Sequence, residues 1–457
     1  MFPQEEGECR KYIDYHLLRA YNKKHKINRQ RSTHITREDI RYGEYIAILR
    51  EELIPALGCT EPISVALAAA NARDALGVMP EKLDVQVSNN IVKNVKSVVV
   101  PNTGGMKGIE AAAAIGAVAG EADRVLEVIS RVDDAGREKM RRFMAEKEIK
   151  VSPCEGDELF CIIVTAYDVT GNKATCEIHG THTNITRLIR NDVVLIQREQ
   201  TQECGETANR ELLSVEGILD FAETCDVADV RPILERQVAY NSAISEEGLN
   251  NPYGANIGKM LLEKGDVRNR AKGRAASGSD ARMSGCVLPV IINSGSGNQG
   301  ITTSLPVVEY AKELKVSEET MYRALTLANL LTIHLRYGIG TLSAYCGAVS
   351  AGCAAGAAIS WLHGGNYDTI AHTLVNSLAI VSGIICDGAK PSCAAKIAFA
   401  VEAGLFGWEM YENGQQFYGG DGIVEKGVEN TIRNVARLGH DGMRQTDNEI
   451  VRIMTQS

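Results

Sequence analysis

Residues 337–367 read YGIGTLSAYCGAVSAGCAAGAAISWLHGGNY and contain no Asp, Glu, Lys or Arg. The stretch is longer than the roughly 20 residues that a helix needs to span a bilayer. It is dominated by Gly, Ala, Ser and Cys, however, and is interrupted by Gly340, Gly347, Gly352 and Gly356. Small side chains let helix backbones approach closely, so the stretch predicts a tightly packed, fully buried helix. A membrane span is the less favoured interpretation.

The rest of the chain predicts a mixed front half and a helical back half. Runs such as LDVQVSNN, KSVVVPN and FCIIVTAYDV alternate or are β-branched, which predicts strands. From about Leu212 onward the pattern is mostly helical. We therefore predict an α+β fold with an N-terminal extension over residues 1–35, an α/β lobe over 36–210 and a mainly helical lobe over 211–457. The two lobes are expected to form one catalytic unit.

Composition narrows the classes of partner. The 457 residues have a net charge of −9, with 44% apolar and 23% charged residues, as in ordinary globular proteins. This balance gives no reason to bind nucleic acid or acidic membranes and favours a small ligand. The N-terminal stretch lacks an apolar secretory region, so we expect a cytoplasmic protein with reduced cysteines. Among twelve reduced cysteines, a group indicates metal binding or catalysis.

Four cysteines late in the chain form two Cys-x6-Cys spacings. Cys346 and Cys353 are predicted on one helix, about 10 Å apart along its axis, which is awkward for two ligands of one compact cluster. Cys386 and Cys393 flank DGAKPS, whose Gly and Pro break a helix and let both thiolates reach one centre. The favoured ligands are therefore Cys346, Cys386 and Cys393.

Three thiolates suit a [4Fe–4S] cluster with one open iron, because a fourth would close it as in electron carriers. An open iron can act as a Lewis acid on a leaving group. This interpretation places an iron–sulfur site in the Gly/Ala-rich back half. Buried structural cysteines and a zinc site are the alternatives, since neither spacing is a standard ferredoxin or zinc-ribbon pattern.

The motif PALGCTEP, residues 55–62, places Cys59 near the N-cap of a predicted helix. The helix dipole favours thiolate at this position, and a thiolate can be a nucleophile or a general base. A buried inert cysteine is the alternative.

A Gly-rich turn, Asn102-Thr103-Gly104-Gly105, precedes another predicted helix. Backbone N–H groups at such a turn bind carboxylates well, so we predict that it holds a substrate carboxylate. A plain strand-to-helix turn is the alternative.

The loop NSGSGNQG, residues 293–300, contains a literal G-x-G-x-x-G. A dinucleotide site would need a helix opening directly afterwards, and we expect none because ITTSLPVV follows with Pro306. We interpret the loop as an anion-binding or close-approach loop, with Ser294 and Asn298 as candidate substrate contacts.

The segment HGTHTN contains His179 and His182 near a predicted strand end. Either imidazole could orient a substrate or transfer a proton. A structural or surface pair is the favoured alternative.

Taken together, GCTEP, NNIVKNVKSVVVPNTGGMKGIEAA, SGSGNQGI and CDGAKPSCAAK resemble the L-cysteine desulfidase family, which is related to the α-chain of iron–sulfur L-serine dehydratases. The resemblance covers about residues 40–445. It implies a lyase of cysteine catabolism that converts L-cysteine to hydrogen sulfide, pyruvate and ammonia without pyridoxal phosphate. It implies an oxygen-labile [4Fe–4S] cluster on Cys346, Cys386 and Cys393, and a catalytic role for Cys59.

The resemblance leaves several alternatives open. Cys59 could remove the Cα proton as a thiolate, or be a fourth cluster ligand that substrate displaces. A serine dehydratase would use the same parts, and a non-enzymatic sensor would bind a cluster but turn over no amino acid. A dinucleotide oxidoreductase would need the 295–300 loop to bind NAD. The expected partner is a small amino acid, and a homodimer is the oligomeric state to test.

Overall fold

The computed structural model describes residues 34–156, 158–198, 208–340 and 342–455. The predicted extension over residues 1–35 therefore lies almost wholly outside the described residues. Ile35–Ser457 forms one compact unit. The division of this unit near residue 210 stays a prediction.

The front half is built on a mixed sheet, and a second, short antiparallel pair joins it to the back half. The strands are β1 (Pro55–Leu57), β2 (Lys82–Val87), β3 (Glu148–Pro153), β4 (Cys161–Tyr167), β5 (Lys173–His179), β6 (Ile185–Arg190), β7 (Val193–Gln197) and β8 (Pro289–Ile291). In the described chain the large sheet has the order β3-β2-β4-β5-β6-β7. Among the described strands, only β2 and β3 pair in parallel, and β1 pairs with β8.

Five helices belong to the described front half: α1 (Ile40–Glu52), α2 (Thr60–Leu76), α3 (Asn89–Val95), α4 (Ile109–Ala119) and α5 (Asp134–Glu146). The alanine-rich α2 covers β4 and β5, and α4 packs on α2. By contrast, α1 packs into the hydrophobic core formed by helices of the back half.

The back half consists mainly of α6 (Val215–Thr224), α7 (Val227–Asn250), α8 (Ile257–Leu262), α9 (Val267–Met283), α10 (Gly297–Glu313), α11 (Glu318–Tyr337), α12 (Gly347–Leu362), α13 (Tyr367–Val381), α14 (Cys393–Glu412), α15 (Val428–Arg437) and α16 (Arg444–Thr455). Short 3-10 and π turns lie at Ala122–Glu127, Arg210–Leu212 and Leu438–Gly442. The predicted α+β fold class is confirmed.

The middle of the uncharged stretch 337–367 forms α12, and almost all of this helix is buried. It packs against α10, α11, α13 and α14. Its glycines bring α14 to backbone contact, since a Cβ on Gly356 would lie 2.4 Å from the carbonyl carbon of Gly404. In the described part of the chain, no helix is both long and apolar enough to cross a membrane.

Gly356→Ala is expected to lower the free energy of unfolding by about 1–3 kcal/mol, because the added methyl group overpacks a rigid backbone crossing. Gly43→Ala is the matched control, since it lies within α1 and a Cβ there meets nothing within 4 Å. This control should stabilise the protein by about 0.5–1 kcal/mol. Urea unfolding of both variants measures the difference, and equal effects would contradict the close α12–α14 crossing.

The interpretation of the 293–300 loop was wrong in one respect. α10 does open directly within it, at Gly297, and Pro306 lies inside this helix. The preceding strand β8 pairs antiparallel with β1, however, whereas a dinucleotide-binding unit requires a parallel βαβ arrangement.

Candidate active site

Three of the predicted site cysteines lie at helix N-termini. Cys59 is the N-cap of α2, Cys346 is the N-cap of α12, and Cys393 is the first residue of α14. Cys59 forms a small buried cluster with Val98 and Met283, and Cys393 packs against that cluster. The fold therefore brings Cys59 and Cys393 together at helix N-termini, where the helix dipole favours negative charge.

Backbone pairing brings Cys346 beside Cys386. The Cys386 N–H donates to the Ala344 carbonyl at 2.6 Å, and the Cys346 N–H donates to the Ile384 carbonyl at 3.2 Å. The Cys346 thiol has a pKa raised to about 12, first by burial and then by the neighbouring Cys386 and Cys393 thiols. These three sulfurs therefore share one environment.

The turn between Cys386 and Cys393 depends on Gly388. This glycine has a φ of 92°, and a Cβ on it would lie 2.2 Å from the Lys93 carbonyl oxygen. Asp387 in the same turn pairs with Lys390 and Lys396. Burial opposes ionisation of Asp387, but these lysines lower its pKa to about 2. The predicted helix break is therefore a specific, anchored turn.

The three-thiol set fits an iron–sulfur cluster better than a single zinc ion. The sulfurs of Cys346, Cys386 and Cys393 are not all within 4.8 Å of one another, whereas two sulfurs on one tetrahedral zinc lie only about 3.8 Å apart. The positive charges of Arg336 and Lys396 lie near these thiols and offset anionic charge. Iron–sulfur clusters are held by soft thiolate ligands, and nearby positive charges of this kind offset the negative charge of those ligands.

Cys353 lies inside α12 rather than at its end. It is fully buried, burial raises its thiol pKa to about 12, and its side-chain neighbour is Ser377 of α13. This position agrees with leaving Cys353 out of the predicted ligands. The ligand set of Cys346, Cys386 and Cys393 itself stays a prediction.

The Cys59 thiol is paired with a buried carboxylate. Its S–H donates to Oε2 of Glu61 at 3.0 Å. Burial and the Glu61 charge raise the Cys59 pKa well above its usual value, and the nearby Arg282 charge only partly opposes them. The N-cap position agrees with expectation, but the expected thiolate at neutral pH was wrong, because burial and Glu61 outweigh the helix dipole.

Glu61 sits at the centre of a polar network. Its carboxylate also accepts hydrogen bonds from the Thr60 hydroxyl at 3.2 Å and the Asn94 amide at 3.0 Å. The Nε2 of His182 lies 3.8 Å from it. Burial tends to raise the Glu61 pKa, but interactions with His182 and Cys59 bring it down to about 2. Glu61 is thus an ionised carboxylate that accepts a hydrogen bond from the Cys59 thiol.

The depressed Glu61 pKa predicts a pH-dependent contribution to stability. The shift from 4.5 to about 2 corresponds to about 3 kcal/mol, present above pH 4.5 and lost as the pH falls toward 2. Urea unfolding should show that wild type exceeds Glu61→Gln by most of this amount at pH 7 and by progressively less below pH 4.5. The exposed Glu216→Gln is the control. A pH-independent difference for Glu61→Gln would contradict the ionised network.

Arg282 is a buried cation beside the same thiol. Only 2% of it is exposed, and within the described chain its guanidinium forms no ion pair or hydrogen bond, with Nε buried and unsatisfied. A Cβ on Gly297 would lie 2.4 Å from that Nε, so the group lies against the N-terminus of α10. A buried unpaired cation at a helix N-terminus suits a bound carboxylate.

The predicted substrate contacts fall in two places. The Asn102 amide donates to the Ile129 carbonyl at 2.8 Å, the Thr103 hydroxyl donates to the Val100 carbonyl at 2.7 Å, and Gly104 and Gly105 are exposed. These side-chain donors are used in hydrogen bonds that hold the turn itself. Binding of a substrate carboxylate by this turn stays a prediction.

The 293–300 loop, by contrast, lies next to the Cys59 helix. The Thr60 hydroxyl oxygen also lies 3.0 Å from the Gly295 carbonyl oxygen, which places the loop against the Cys59 helix. Ser294 has a φ of 47°, and the buried Oδ1 of Asn298 has no hydrogen-bond partner in the described chain.

A cavity of about 770 Å³ reaches this region. Its walls include His182 from the Glu61 side, Ser294 and Gly295 from the loop, and Arg336 from the three-thiol side. A small substrate entering this cavity would meet the 293–300 loop, His182 and Arg336 together.

His179 does not join this network. Its Nδ1 lies 2.8 Å from the Glu158 carboxylate and its Nε2 lies 3.6 Å from Glu177. These neighbours raise the His179 pKa to about 9 against the effect of burial, with Glu177 the largest cause. The two histidines of HGTHTN therefore have different surroundings.

The fold and this site define an α+β protein in which three clustered thiols lie near a buried thiol–carboxylate pair. A family model for the serine dehydratase alpha chain matches residues 123–452. The chain is 53% identical over 421 residues to a UPF0597 protein of Desulfitobacterium hafniense, covering 92% of this chain and 98% of that relative. It is 46% identical over 424 residues to a UPF0597 protein of Fusobacterium nucleatum, with 90% and 98% covered.

The chain belongs to the serine dehydratase alpha-chain family. The family resemblance predicted from the sequence is confirmed. Membership points to a lyase of the iron–sulfur dehydratase type. The names of the UPF0597 relatives specify no substrate.

Proposed function

We propose that this protein is an iron–sulfur L-cysteine desulfidase, a carbon–sulfur lyase that converts L-cysteine to sulfide, pyruvate and ammonia. The observation that carries the proposal is the juxtaposition of three thiols, Cys346, Cys386 and Cys393, with the Cys59–Glu61 pair. Family membership supports the lyase class. The resemblance of GCTEP and CDGAKPSCAAK to desulfidases supports cysteine as the substrate.

The three thiols would hold the cluster. A [4Fe–4S] cluster on three thiolates keeps one iron open, which supplies a Lewis acid for the leaving sulfur. Arg336 and Lys396 lie near the thiols, and the N-termini of α12 and α14 begin at two of them. These positive ends and side chains favour the thiolate forms that ligation requires.

Arg282 and the N-terminus of α10 would bind the substrate carboxylate. The guanidinium is buried without a counterion in the described chain, so a carboxylate would satisfy a charge that is otherwise unpaired. This position lies close to Cys59, whose buried cluster includes Met283, the next residue along α9. It directs the substrate Cα toward the acid–base pair.

Cys59 and Glu61 would move the Cα proton. After its own proton has left to solvent, the Cys59 thiolate removes the Cα proton of the substrate, and the Glu61 carboxylate accepts a hydrogen bond from the S–H that forms. The electrons of the broken C–H bond form the Cα–Cβ double bond, and the Cβ–S bond breaks with its electrons on sulfur. The aminoacrylate product tautomerises and is hydrolysed to pyruvate and ammonia.

A serine dehydratase is the second candidate, favoured by the family model. It would use the same thiols and acid–base pair with hydroxide as the leaving group. A cluster-binding sensor would instead bind iron and turn over neither amino acid.

Inhibitors test the proposed class of chemistry. Turnover of L-cysteine by protein prepared without oxygen should be abolished by air and by iron chelation. It should be insensitive to hydroxylamine, which traps the aldehyde of pyridoxal phosphate. Inhibition by hydroxylamine with tolerance of air would contradict the iron–sulfur proposal.

Arg282→Gln should lower kcat/KM for L-cysteine by about 10- to 100-fold, mainly through KM, because a charge-assisted hydrogen bond is worth about 1.5–3 kcal/mol. Arg274→Gln, on the same helix but paired with Glu246 at the surface, is the matched control. Steady-state kinetics under argon measure both. Equal KM values for the two variants would contradict carboxylate binding by Arg282.

A further inference from the structure

A second group of metal-ligating side chains lies at one end of the large sheet. Cys154 follows β3, Cys161 begins β4 and His179 ends β5. Ligand atoms of Glu158, Cys161 and His179 all lie within 4.8 Å of one another. The Cys154 sulfur lies 2.8 Å from the Cys161 sulfur. The elimination mechanism uses none of these side chains.

The donor set of this group suits Zn²⁺. Two sulfurs, an imidazole nitrogen and a carboxylate oxygen make four ligands of the types found in tetrahedral zinc sites. Zinc bonds of about 2.0–2.3 Å separate neighbouring ligand atoms by about 3.3–3.8 Å. The ligand atoms of Glu158, Cys161 and His179 already lie within 4.8 Å of one another. The Cys154 sulfur, 2.8 Å from the Cys161 sulfur, would have to move away from it by about 1 Å to complete the site. Thiolates also favour zinc over magnesium and calcium.

His179 has the surroundings of a metal-bound histidine. Its Nδ1 faces Glu158 within the group, and its Nε2 faces the Glu177 carboxylate at 3.6 Å on the other side. Metal-bound histidines commonly donate their second N–H to a carboxylate, which fixes the tautomer. The His179 side chain is 7% exposed and that of Glu158 is 37% exposed, so an ion can reach a largely buried site.

We propose that Cys154, Glu158, Cys161 and His179 bind a zinc ion that is separate from the iron–sulfur ligands. Its place in the fold gives it a positioning role. His179 begins the turn that carries His182 to within 3.8 Å of Glu61.

Cys161 supports the Glu61 network from the opposite side, through Ser88. The Ser88 N–H donates to the Cys161 carbonyl at 2.9 Å, and the Cys161 N–H donates to the Ser88 hydroxyl at 3.3 Å. Ser88 is the N-cap of α3, whose Asn94 donates to Glu61. The zinc ion therefore ties together the two segments that support Glu61 from opposite directions.

Metal analysis of the full-length protein tests the site without depending on lyase activity. Protein prepared without oxygen, supplied with zinc and freed of loosely bound metal is expected to contain one zinc ion per chain beside its iron. Cys154→Ser and Cys161→Ser should lose zinc and retain iron. Cys225→Ser, a buried thiol in another core, should retain both.

Cobalt exchange and a carboxylate variant give independent readouts. Co²⁺ in the site should show thiolate-to-cobalt charge-transfer bands that Cys154→Ser weakens. Glu177→Gln should lower zinc affinity by about 10- to 100-fold in competition with a chelator.

Two results would overturn the proposal. One is zinc content unchanged in folded Cys154→Ser, as judged by circular dichroism. The other is a Cys154–Cys161 disulfide, found by mass spectrometry in oxygen-free wild type that takes up no zinc.

Discussion

Cys386→Ala is expected to lose its bound iron and all detectable lyase turnover, whereas Cys353→Ala keeps both. Cys386 is paired through the backbone with the Cys346 segment, and its thiol lies near Cys346 and Cys393. A cluster held by only three thiolates has no spare protein ligand to replace one of them. Cys353 faces the α13 side of its helix instead.

The measurement is iron and acid-labile sulfide per chain after reconstitution without oxygen, with circular dichroism to verify folding. Both variants remove one buried or half-buried thiol, so a general loss of stability would affect them alike. Iron retained in Cys386→Ala, or lost from folded Cys353→Ala, would overturn the choice of ligands.

Cys59→Ser is expected to keep the cluster spectrum and to lose about 10²- to 10⁴-fold in kcat, the range of a missing general base. Serine preserves the hydrogen bond to Glu61, but its hydroxyl is a much weaker acid than a thiol. Glu61→Gln should lower kcat by about 10- to 100-fold, because the neutral amide loses the charge-assisted hydrogen bond that positions the Cys59 thiol.

Absorption spectra and turnover of the same oxygen-free samples separate the two roles open to Cys59. Loss of the cluster spectrum on replacing Cys59 would make it a ligand rather than a base. Cys225→Ser is the control for removing a buried thiol. Wild-type turnover in Cys59→Ser would contradict both roles.

Local signals in the sequence were sufficient for much of the architecture. The boundary before Thr60 follows from a cap position next to Pro62, and the buried helix of Gly347–Leu362 follows from its small side chains. KSVVVPN, in contrast, forms only an isolated bridge between Val99 and Lys107, so its strand prediction was wrong. Propensity cannot tell whether a β-branched run finds a neighbouring strand.

The site was only partly predictable, because its chemistry depends on contacts between distant segments. Cys59 and the three late cysteines stand out by motif and spacing. Glu61 lies in the same motif, but its ionised state depends on Asn94 and His182. The importance of Arg282 comes from the lack of a hydrogen-bond or ion-pair partner among the described residues, which no local pattern reveals.

A parallel assay of L-cysteine and L-serine with oxygen-free, iron-loaded protein tests the proposed desulfidase activity. Pyruvate is measured from both substrates, and sulfide from cysteine. We predict equal amounts of sulfide and pyruvate from L-cysteine, lost on exposure to air. Pyruvate from L-serine alone, or no turnover of either amino acid with the cluster intact, would contradict the assignment as an L-cysteine desulfidase.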